Sequence, residues 1–305
     1  MILTVCLNPT LQKTLRFSSV VPGTVNRTDA HRLDVSGKGI NVTRVLNQLG
    51  KKAVHLTQLG GVMRPLFLSL CEQDGLAVEW AESKSQIRFC YTMLTENDVT
   101  ELVEESESVD AGTGQRLLEK YNSLFVNHSF SCLIISGTKA AGFSDEVIPL
   151  MVRKAKEKGV KVILDIKGKD LIESLQYSPD IIKPNLYEFA STFAPQLVKD
   201  NDFAADTSDA IEQIKFSALD IYKKYGSRVI LTDGSRKLYA VETGDNFFKV
   251  DIQPVKAVNT IGCGDAFTAG LASALEDGKN FRGAITEGIR CGALNAGFIK
   301  PGVVL

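Results

Sequence analysis

The sequence predicts an α/β protein: a mostly parallel central sheet with helices on both faces, joined by a second, smaller β-sheet. Two observations predict the core. Apolar runs at residues 2–7 and 132–136 lack polar alternation, as inner strands buried on both faces require. From residue 132 onward such runs alternate with amphipathic helical segments, the pattern of βαβ units. A third observation predicts the small sheet. Residues 11–36 and 86–104 alternate apolar and polar side chains, which suits strands with one solvated face.

In chain order, the first strand ends at the turn signal Asn8-Pro9. Leu11, Leu15, Phe17, Leu33 and Val35 then mark the alternating strands of the small sheet. Ile40, Val45, Leu46 and Leu49 line one face of a helix closed by Gly50, and a strand follows at 54–59. Gly60-Gly61 precede a helix ending near Gly75, and 86–104 return to the small sheet. Helices are expected at 117–126, 144–158, 169–176, 186–194 and 206–225, with core strands at 161–165, 180–183 and 228–232. Strands at 237–242 and 247–252 form an antiparallel edge, helices at 264–276 and 281–297 complete the fold, and 195–206 reads as a surface loop.

Composition narrows the function classes. The 305 residues are 44% hydrophobic and 23% charged with a formal net charge of −1, which gives no electrostatic case for nucleic acid or an anionic membrane as partner. Cysteines at 6, 71, 90, 132, 263 and 291 show no C-x-x-C spacing and have only three histidines for company, which argues against zinc and for buried reduced thiols. With neither a signal-peptide pattern nor a membrane-length apolar run, the expected location is the cytoplasm.

Residues 259–270, NTIGCGDAFTAG, concentrate the chemistry. Gly262 and Gly264 permit a tight turn, and an apolar helical pattern follows at once, so Asp265 stands at a helix mouth whose first amides lack intrahelical partners. Such a helix start attracts phosphate, and a carboxylate beside it can take up a proton. An ordinary aspartate N-cap is the competing reading on this stretch alone.

Residues 36–43, SGKGINVT, with Gly50 and Gly60 beyond, resemble the first signature of the PfkB (ribokinase-like) sugar kinases, and residues 259–272 resemble the second. Asn8-Pro9, Ser136-Gly137, Lys183-Pro184-Asn185 with Glu188, and Thr232-Asp233-Gly234 follow the family's order, so that the likeness runs from residue 2 to about residue 297. Asn-Pro-Thr at 8–10, Lys38 and the IRFC segment at 87–90 are similar to the phosphofructokinase/tagatose-6-phosphate kinase branch.

The resemblance implies one ribokinase-like three-layer domain over 1–305, lidded by a β-sheet from about 11–36 and 86–104. It implies an ATP-dependent, Mg²⁺-requiring kinase of a phosphorylated ketohexose, fructose 1-phosphate first and tagatose 6-phosphate second. A requirement for a monovalent cation is left open. Asp265 would be the base, with the amides around Gly262, Cys263 and Gly264 as anion hole. Lys38 and Arg88 would hold the substrate's own phosphate, Gly37 and Gly39 would let the substrate approach the backbone, and Gln12, Asn41, Ser136 and Gly137 would line its site. Lys183, Asn185, Thr232, Gly234, Gly264, Gly292 and Asn295 would border the nucleotide, and Asn185 with Glu188 would organise Mg²⁺ through water. Cys263 reads as a backbone donor position, since no histidine is near it in sequence. Homodimerisation through the lid sheets follows from their open edges.

Five departures from the family pattern, one of them a dipeptide, stand out: Gln12 replaces an aspartate, Ser36 and Arg64 replace glycines, Lys237 replaces a glycine, and Lys139-Ala140 replaces Leu-Pro. Two other readings stay open. A kinase of an unphosphorylated sugar or nucleoside would need neither Lys38 nor Arg88. A sugar-phosphate sensor without turnover is motivated by Gln12 and opposed by Asp265 with its glycine turn.

Overall fold

The computed structural model describes residues 1–96, 98–199, 202–203 and 208–305. The chain opens with β1 (Ile2–Val5), crosses to β2 (Thr10–Arg16) and β3 (His31–Ser36), and returns through α1 (Lys38–Gln48), β4 (Ala53–Leu59), α2 (Arg64–Gln73) and β5 (Ala77–Glu82). A second excursion forms β6 (Arg88–Leu94) and β7 (Val99–Val103). Strand and helix then alternate through α3 (Thr113–Asn127), β8 (Cys132–Ser136), α4 (Val147–Glu157), β9 (Lys161–Asp165), α5 (Gly168–Leu175), β10 (Ile181–Ile182) and α6 (Leu186–Phe193). A two-stranded pair, β11 (Val198–Lys199) and β12 (Asp202–Phe203), precedes α7 (Ser208–Tyr225), β13 (Arg228–Asp233), β14 (Lys237–Val241), β15 (Phe247–Asp251), α8 (Cys263–Glu276) and α9 (Phe281–Asn295).

The main sheet has the order β15-β14-β13-β10-β9-β8-β1-β4-β5, parallel except for β14 and β15. Strand parity sorts its side chains into two cores. Leu3, Val5, Leu133 and Ile135 face α3, α4, α5, α6 and α7, whereas Ile2, Cys132 and Ile134 face α1, α8 and α9. This is the three-layer arrangement expected, with a four-stranded sheet ordered β3-β2-β6-β7 apart from it. Leu11, Val35 and Ile87 seat that small sheet on Ile40, Leu59 and Phe67. Helices α8 and α9 lie very close: a Cβ on Gly270 would come within 2.7 Å of Cys291 Sγ.

Two differences from the sequence reading stand out. Strand β5 was not expected; Ala77–Glu82 is an edge strand with Ala77, Trp80 and Glu82 exposed and Glu79 half-buried, so it lacks the apolar run that marks inner strands. The loop expected over 195–206 instead carries a 3-10 turn at Pro195–Leu197 and the β11–β12 pair; its residues 200, 201 and 204–206, and the first two residues of the helix expected from 206, lie outside the described residues.

The order also locates a crevice. From β1 the chain runs outward through β4 and β5, then resumes on the other side at β8, β9, β10 and β13. The carboxyl ends of β1, β8, β9 and β10 therefore flank the reversal point, where ligands of open α/β sheets bind.

Candidate active site at the carboxyl ends of β1, β8, β9 and β10

Asp265 is the third residue of α8, and the residue before that helix is Gly262, held at φ 82°, ψ −3° with no side-chain cap. The N-cap reading of Asp265 is thereby excluded. Gly262 occupies the left-handed region that L side chains avoid, and a Cβ there would come within 3.0 Å of Pro301 Cβ. Of the first amides of α8, Cys263 N reaches Thr260 O at 3.3 Å, so the helix-start donors next to Asp265 are those of Gly264 and Asp265 itself.

The carboxylate of Asp265 is 6% exposed. Burial raises its pKa from 3.8 to about 6; Lys38, Lys183 and a hydrogen bond from Asn41 oppose that rise, while Asp165 adds to it. Asn41 Nδ2 donates to Asp265 Oδ2 at 2.8 Å. An aspartate so placed is ionised at neutral pH and is a much better proton acceptor than an exposed one.

Opposite it stands a residue that the sequence reading did not single out. Asp165 ends β9, 1% exposed, and its Oδ1 lies 3.5 Å from Lys38 Nζ and 3.4 Å from Lys183 Nζ. Its Oδ2 accepts from Ser136 Oγ at 3.2 Å and Thr268 Oγ1 at 3.3 Å. Burial works against its charge, but Lys183 and Lys38 hold it below the usual carboxylate range. Oδ1 accepts no hydrogen bond, because both ammoniums stand at ion-pair distance. A carboxylate at the carboxyl end of a central parallel strand was the signal available, in KVILD at 161–165.

Lys38 is the first residue of α1, and its ammonium reaches Asp165 Oδ1 and, at 3.6 Å, Glu188 Oε1. Burial opposes its charge, yet Asp165, Glu188 and Asp265 raise its pKa above the ordinary lysine value, so it stays protonated. Lys38 and Arg88, expected to share one phosphate, each make their own protein contacts in this structure. Arg88, on the small sheet, donates from Nε to Thr10 Oγ1 and from Nη1 to Glu104 O, both at 3.1 Å. Lys38 belongs instead to the group of Lys183, Asp165 and Asp265. Lys183 Nζ lies 5.7 Å from the Phe267 ring centre and close to the Gly264 backbone.

Several other expected residues are present but differently employed. A Cβ on Gly39 would sit 2.5 Å from His55 Cε1 and 2.8 Å from Cys6 Cβ, so this glycine serves helix-to-sheet contact rather than approach of a substrate. Gly37 likewise turns its missing side chain toward Asn8 O and Cys6 Sγ. Ser136 gives its hydroxyl to Asp165, while Gly137, next to it, donates its N–H to Asp165 O at 3.0 Å. Asn295 is fully buried and saturated: Nδ2 donates to Ile261 O, and Oδ1 accepts from Gly302 N and Val303 N. It braces the glycine turn from behind, and Gly292, 3.2 Å from Cys263 O were it to carry a Cβ, packs α9 on α8. Both are structural in this geometry. Burial pushes the Cys263 thiol up, which keeps it protonated.

Asn185 caps α6 reciprocally with Glu188: Asn185 Oδ1 accepts from Glu188 N at 2.7 Å and Glu188 Oε2 from Asn185 N at 3.0 Å. That commits one oxygen of each. Among the described residues, no group of three or more His, Cys, Asp or Glu side chains could hold a metal directly. The other Glu188 oxygen, Oε1, stands 3.6 Å from Lys38 Nζ, so Glu188 and Asn185 fit only a cation that keeps its own waters, as Mg²⁺ does. A parallel bridge joins Asn185 to Thr232, and Gly234 turns with φ 55° just beyond β13, so the KPN and Thr-Asp-Gly stretches meet on one side of the crevice.

On the other side, Gln12 is 3% exposed, donates from Nε2 to Thr92 Oγ1 at 2.6 Å and stands opposite Asp34 in the β2–β3 register.

Comparison with known proteins places this geometry. The chain is 28% identical over 298 residues, 97% of its length and 92% of the other's, to a tagatose-6-phosphate kinase of Staphylococcus epidermidis. Its fold superposes on phosphofructokinase-2 of Escherichia coli in complex with potassium, with a TM-score of 0.84, 21% identity, and 99% and 94% of the two chains covered. A protein of Thermotoga maritima described as a possible 1-phosphofructokinase superposes with a TM-score of 0.83 at 20% identity, covering 97% and 91%. The model of the pfkB family carbohydrate kinases matches residues 7–298, nearly the whole chain, and the chain belongs to this family of phosphotransferases that act on a hydroxyl group.

Proposed function

We propose that this protein transfers the γ-phosphoryl group of ATP to a hydroxyl of a phosphorylated ketohexose, fructose 1-phosphate or tagatose 6-phosphate, in the cytoplasm. One observation carries the reading: a buried carboxylate at a helix start, Asp265, beside two buried or half-buried ammoniums that both stand on Asp165 Oδ1 and act electrostatically on Asp265. Phosphoryl transfer runs through a loose transition state, so its catalyst mainly positions reactants and stabilises spread negative charge. Lys38, Lys183 and the amides of Gly264 and Asp265 supply that positive field. Asp265 orients the attacking hydroxyl and takes its proton as the new P–O bond forms. Asp165 keeps both lysines charged and aimed. Glu188 and Asn185 would hold Mg²⁺ through its water shell, and the ion would supply positive charge at the phosphates of the nucleotide. Thr232 and Gly234 border that nucleotide.

Arg88 is the group we assign to the substrate's own phosphate, in place of the Lys38–Arg88 pair. It lies on the strand beside Thr10, and a guanidinium suits a phosphate's geometry. Gln12 and Asn41 complete the sugar site, under the four-stranded sheet acting as a lid. The name of the Staphylococcus relative supports a sugar-phosphate substrate, and the potassium complex of the Escherichia coli neighbour motivates trying a monovalent cation. The exposed edge strand β7, with Val99, Leu102 and Val103 exposed, supports pairing of two lids in a homodimer.

The test is ATP consumption across a panel of sugar phosphates and unphosphorylated sugars, with and without Mg²⁺ and K⁺. Turnover confined to phosphorylated ketohexoses with Mg²⁺ is the expected result. Turnover of free sugars alone would sink the substrate assignment, and binding without turnover would make the protein a sensor.

A further inference from the structure

Asn41 has a side-chain amide with two chemically different ends, and the residue one helical turn along α1 governs which end faces the base. Arg44 is 5% exposed and spends all five of its N–H donors. Nη1 donates to Asn41 Oδ1 at 3.1 Å and to Pro301 O at 2.9 Å. Nη2 donates to Val35 O at 2.7 Å and Asp74 Oδ2 at 2.8 Å, and Nε to the same carboxylate oxygen at 3.0 Å. Ser36 Oγ adds a second donor to Asn41 Oδ1 at 3.3 Å. With its oxygen held by donors, Asn41 has Nδ2 for Asp265 Oδ2. The flipped amide would set oxygen against carboxylate and N–H against guanidinium, two repulsive contacts in a buried site.

We propose that Arg44 is a positioning residue of the phosphoryl-transfer reaction: by gripping Asn41 Oδ1 it keeps Asn41 Nδ2 on Asp265 Oδ2, which leaves Asp265 Oδ1 to the substrate hydroxyl. The inference rests on Asp265 being the base. It also explains why the site needs arginine here. Lysine carries the same charge but has one ammonium on a flexible stem, unable to serve four segments at once. Those segments are the end of β3, α1, the residue after α2, and the tail at Pro301. The orientation of the base is thus tied to the small sheet and the C-terminal tail together.

The groups facing Asp265 from elsewhere are Lys38 on α1, Asp165 on β9, Lys183 after β10, and the thiols of Cys6 and Cys263. None of them touches Arg44's donors, so replacing Arg44 leaves the other titratable groups around Asp265 in place. The experiment is the pH profile of kcat/KM for the full chain with ATP, Mg²⁺ and whichever ketohexose phosphate the wild type turns over. The variants are Arg44→Lys, Asn41→Ala and their combination. Losing a charge-directed hydrogen bond raises the apparent pKa of the acid limb by about one pH unit, a tenfold change. Arg44→Lys is therefore expected to lose about fivefold more activity at pH 6 than at pH 8.5, approaching tenfold at pH 5, with KM for ATP little changed. Asn41→Ala shifts the limb as far, and the double variant no further. A uniform loss at all pH values with the limb unmoved would overturn the proposal, because a merely structural arginine lowers the active fraction without moving a pKa. Should Arg44→Lys fail to fold, Asp74→Ala, which removes the acceptor of two of the five donors, is expected to shift the limb in the same direction; an unmoved limb there overturns it too. If Asp265→Asn retains turnover, the base assignment fails. If Asp265→Asn is inactive and the Arg44→Lys limb stays put, only this inference fails.

Discussion

Replacing Asp265 by asparagine is expected to destroy activity and at the same time stabilise the fold. The carboxylate is 6% exposed and its pKa stands at about 6 against an ordinary 3.8. Those roughly two units correspond to about 3 kcal/mol by which the ionised form is disfavoured in the folded state. The sign follows from proton counting. Between pH 3.8 and about 6 the folded protein holds more protons at this position than the unfolded chain, so stability falls as pH rises through that window and the cost is fully present at pH 7. Asparagine carries no charge and its oxygen can still accept from Asn41 Nδ2. Ligand-free Asp265→Asn should therefore resist denaturant better than the wild type at pH 7 by about 1–3 kcal/mol, and the difference should shrink as pH falls to 4. The same variant should lose about 10²- to 10⁴-fold in kcat, the contribution of a positioned base. Denaturant titrations at pH 4, 5.5 and 7 with a coupled ATPase-type assay measure both. A variant less stable than wild type at pH 7, or one that keeps kcat within tenfold, refutes the reasoning.

Other predictions follow from the same geometry. His55 is 1% exposed and burial lowers its pKa to about 3, so the unfolded chain binds the extra proton below pH 6.5 and stability drops as pH falls through that window; His55→Gln should flatten the acid side of the stability curve by about 1.4 kcal/mol per pH unit, measured by denaturation between pH 6.5 and 4.5. Gly270→Ala forces a Cβ to 2.7 Å from Cys291 Sγ and 2.8 Å from Glu287 O, and should cost about 1–3 kcal/mol in denaturant titration; a neutral result would mean that α8 and α9 separate freely. Lys38→Met should lower kcat with KM for the sugar phosphate nearly unchanged, whereas Arg88→Ala should raise that KM about tenfold or more, since a charge-assisted contact is worth about 1.5–3 kcal/mol. The reverse split, read from steady-state kinetics, would return Lys38 to the substrate's phosphate.

Much of this arrangement was legible beforehand because it depends on local order in the chain. The uninterrupted apolar runs of β8 and β9 and the glycine turn at 262–264 state their structures within a few residues. Edge strand β5 did not, because AVEWAE buries too little to carry a period. Asp165 did not either. Nothing adjacent to it in sequence marks it, and its two lysines come from positions 38 and 183. Asn295 and Gly292 sat in the right motif neighbourhood, yet whether a buried amide faces a ligand or a backbone depends on what packs behind it.

The sequence by itself determined the family resemblance, the layered sheet, and a carboxylate at a helix mouth, since each is carried by short motifs, local periodicity and glycine placement. Only the tertiary structure decided how charge is shared. It set Lys38 at ion-pair distance from Asp165, put Asp165 at the centre, and tied Asn41 to a tail residue some 260 positions away through Arg44. The physical reason is that electrostatic partners are chosen by distance in space and by burial, and neither is a property of neighbours along the chain.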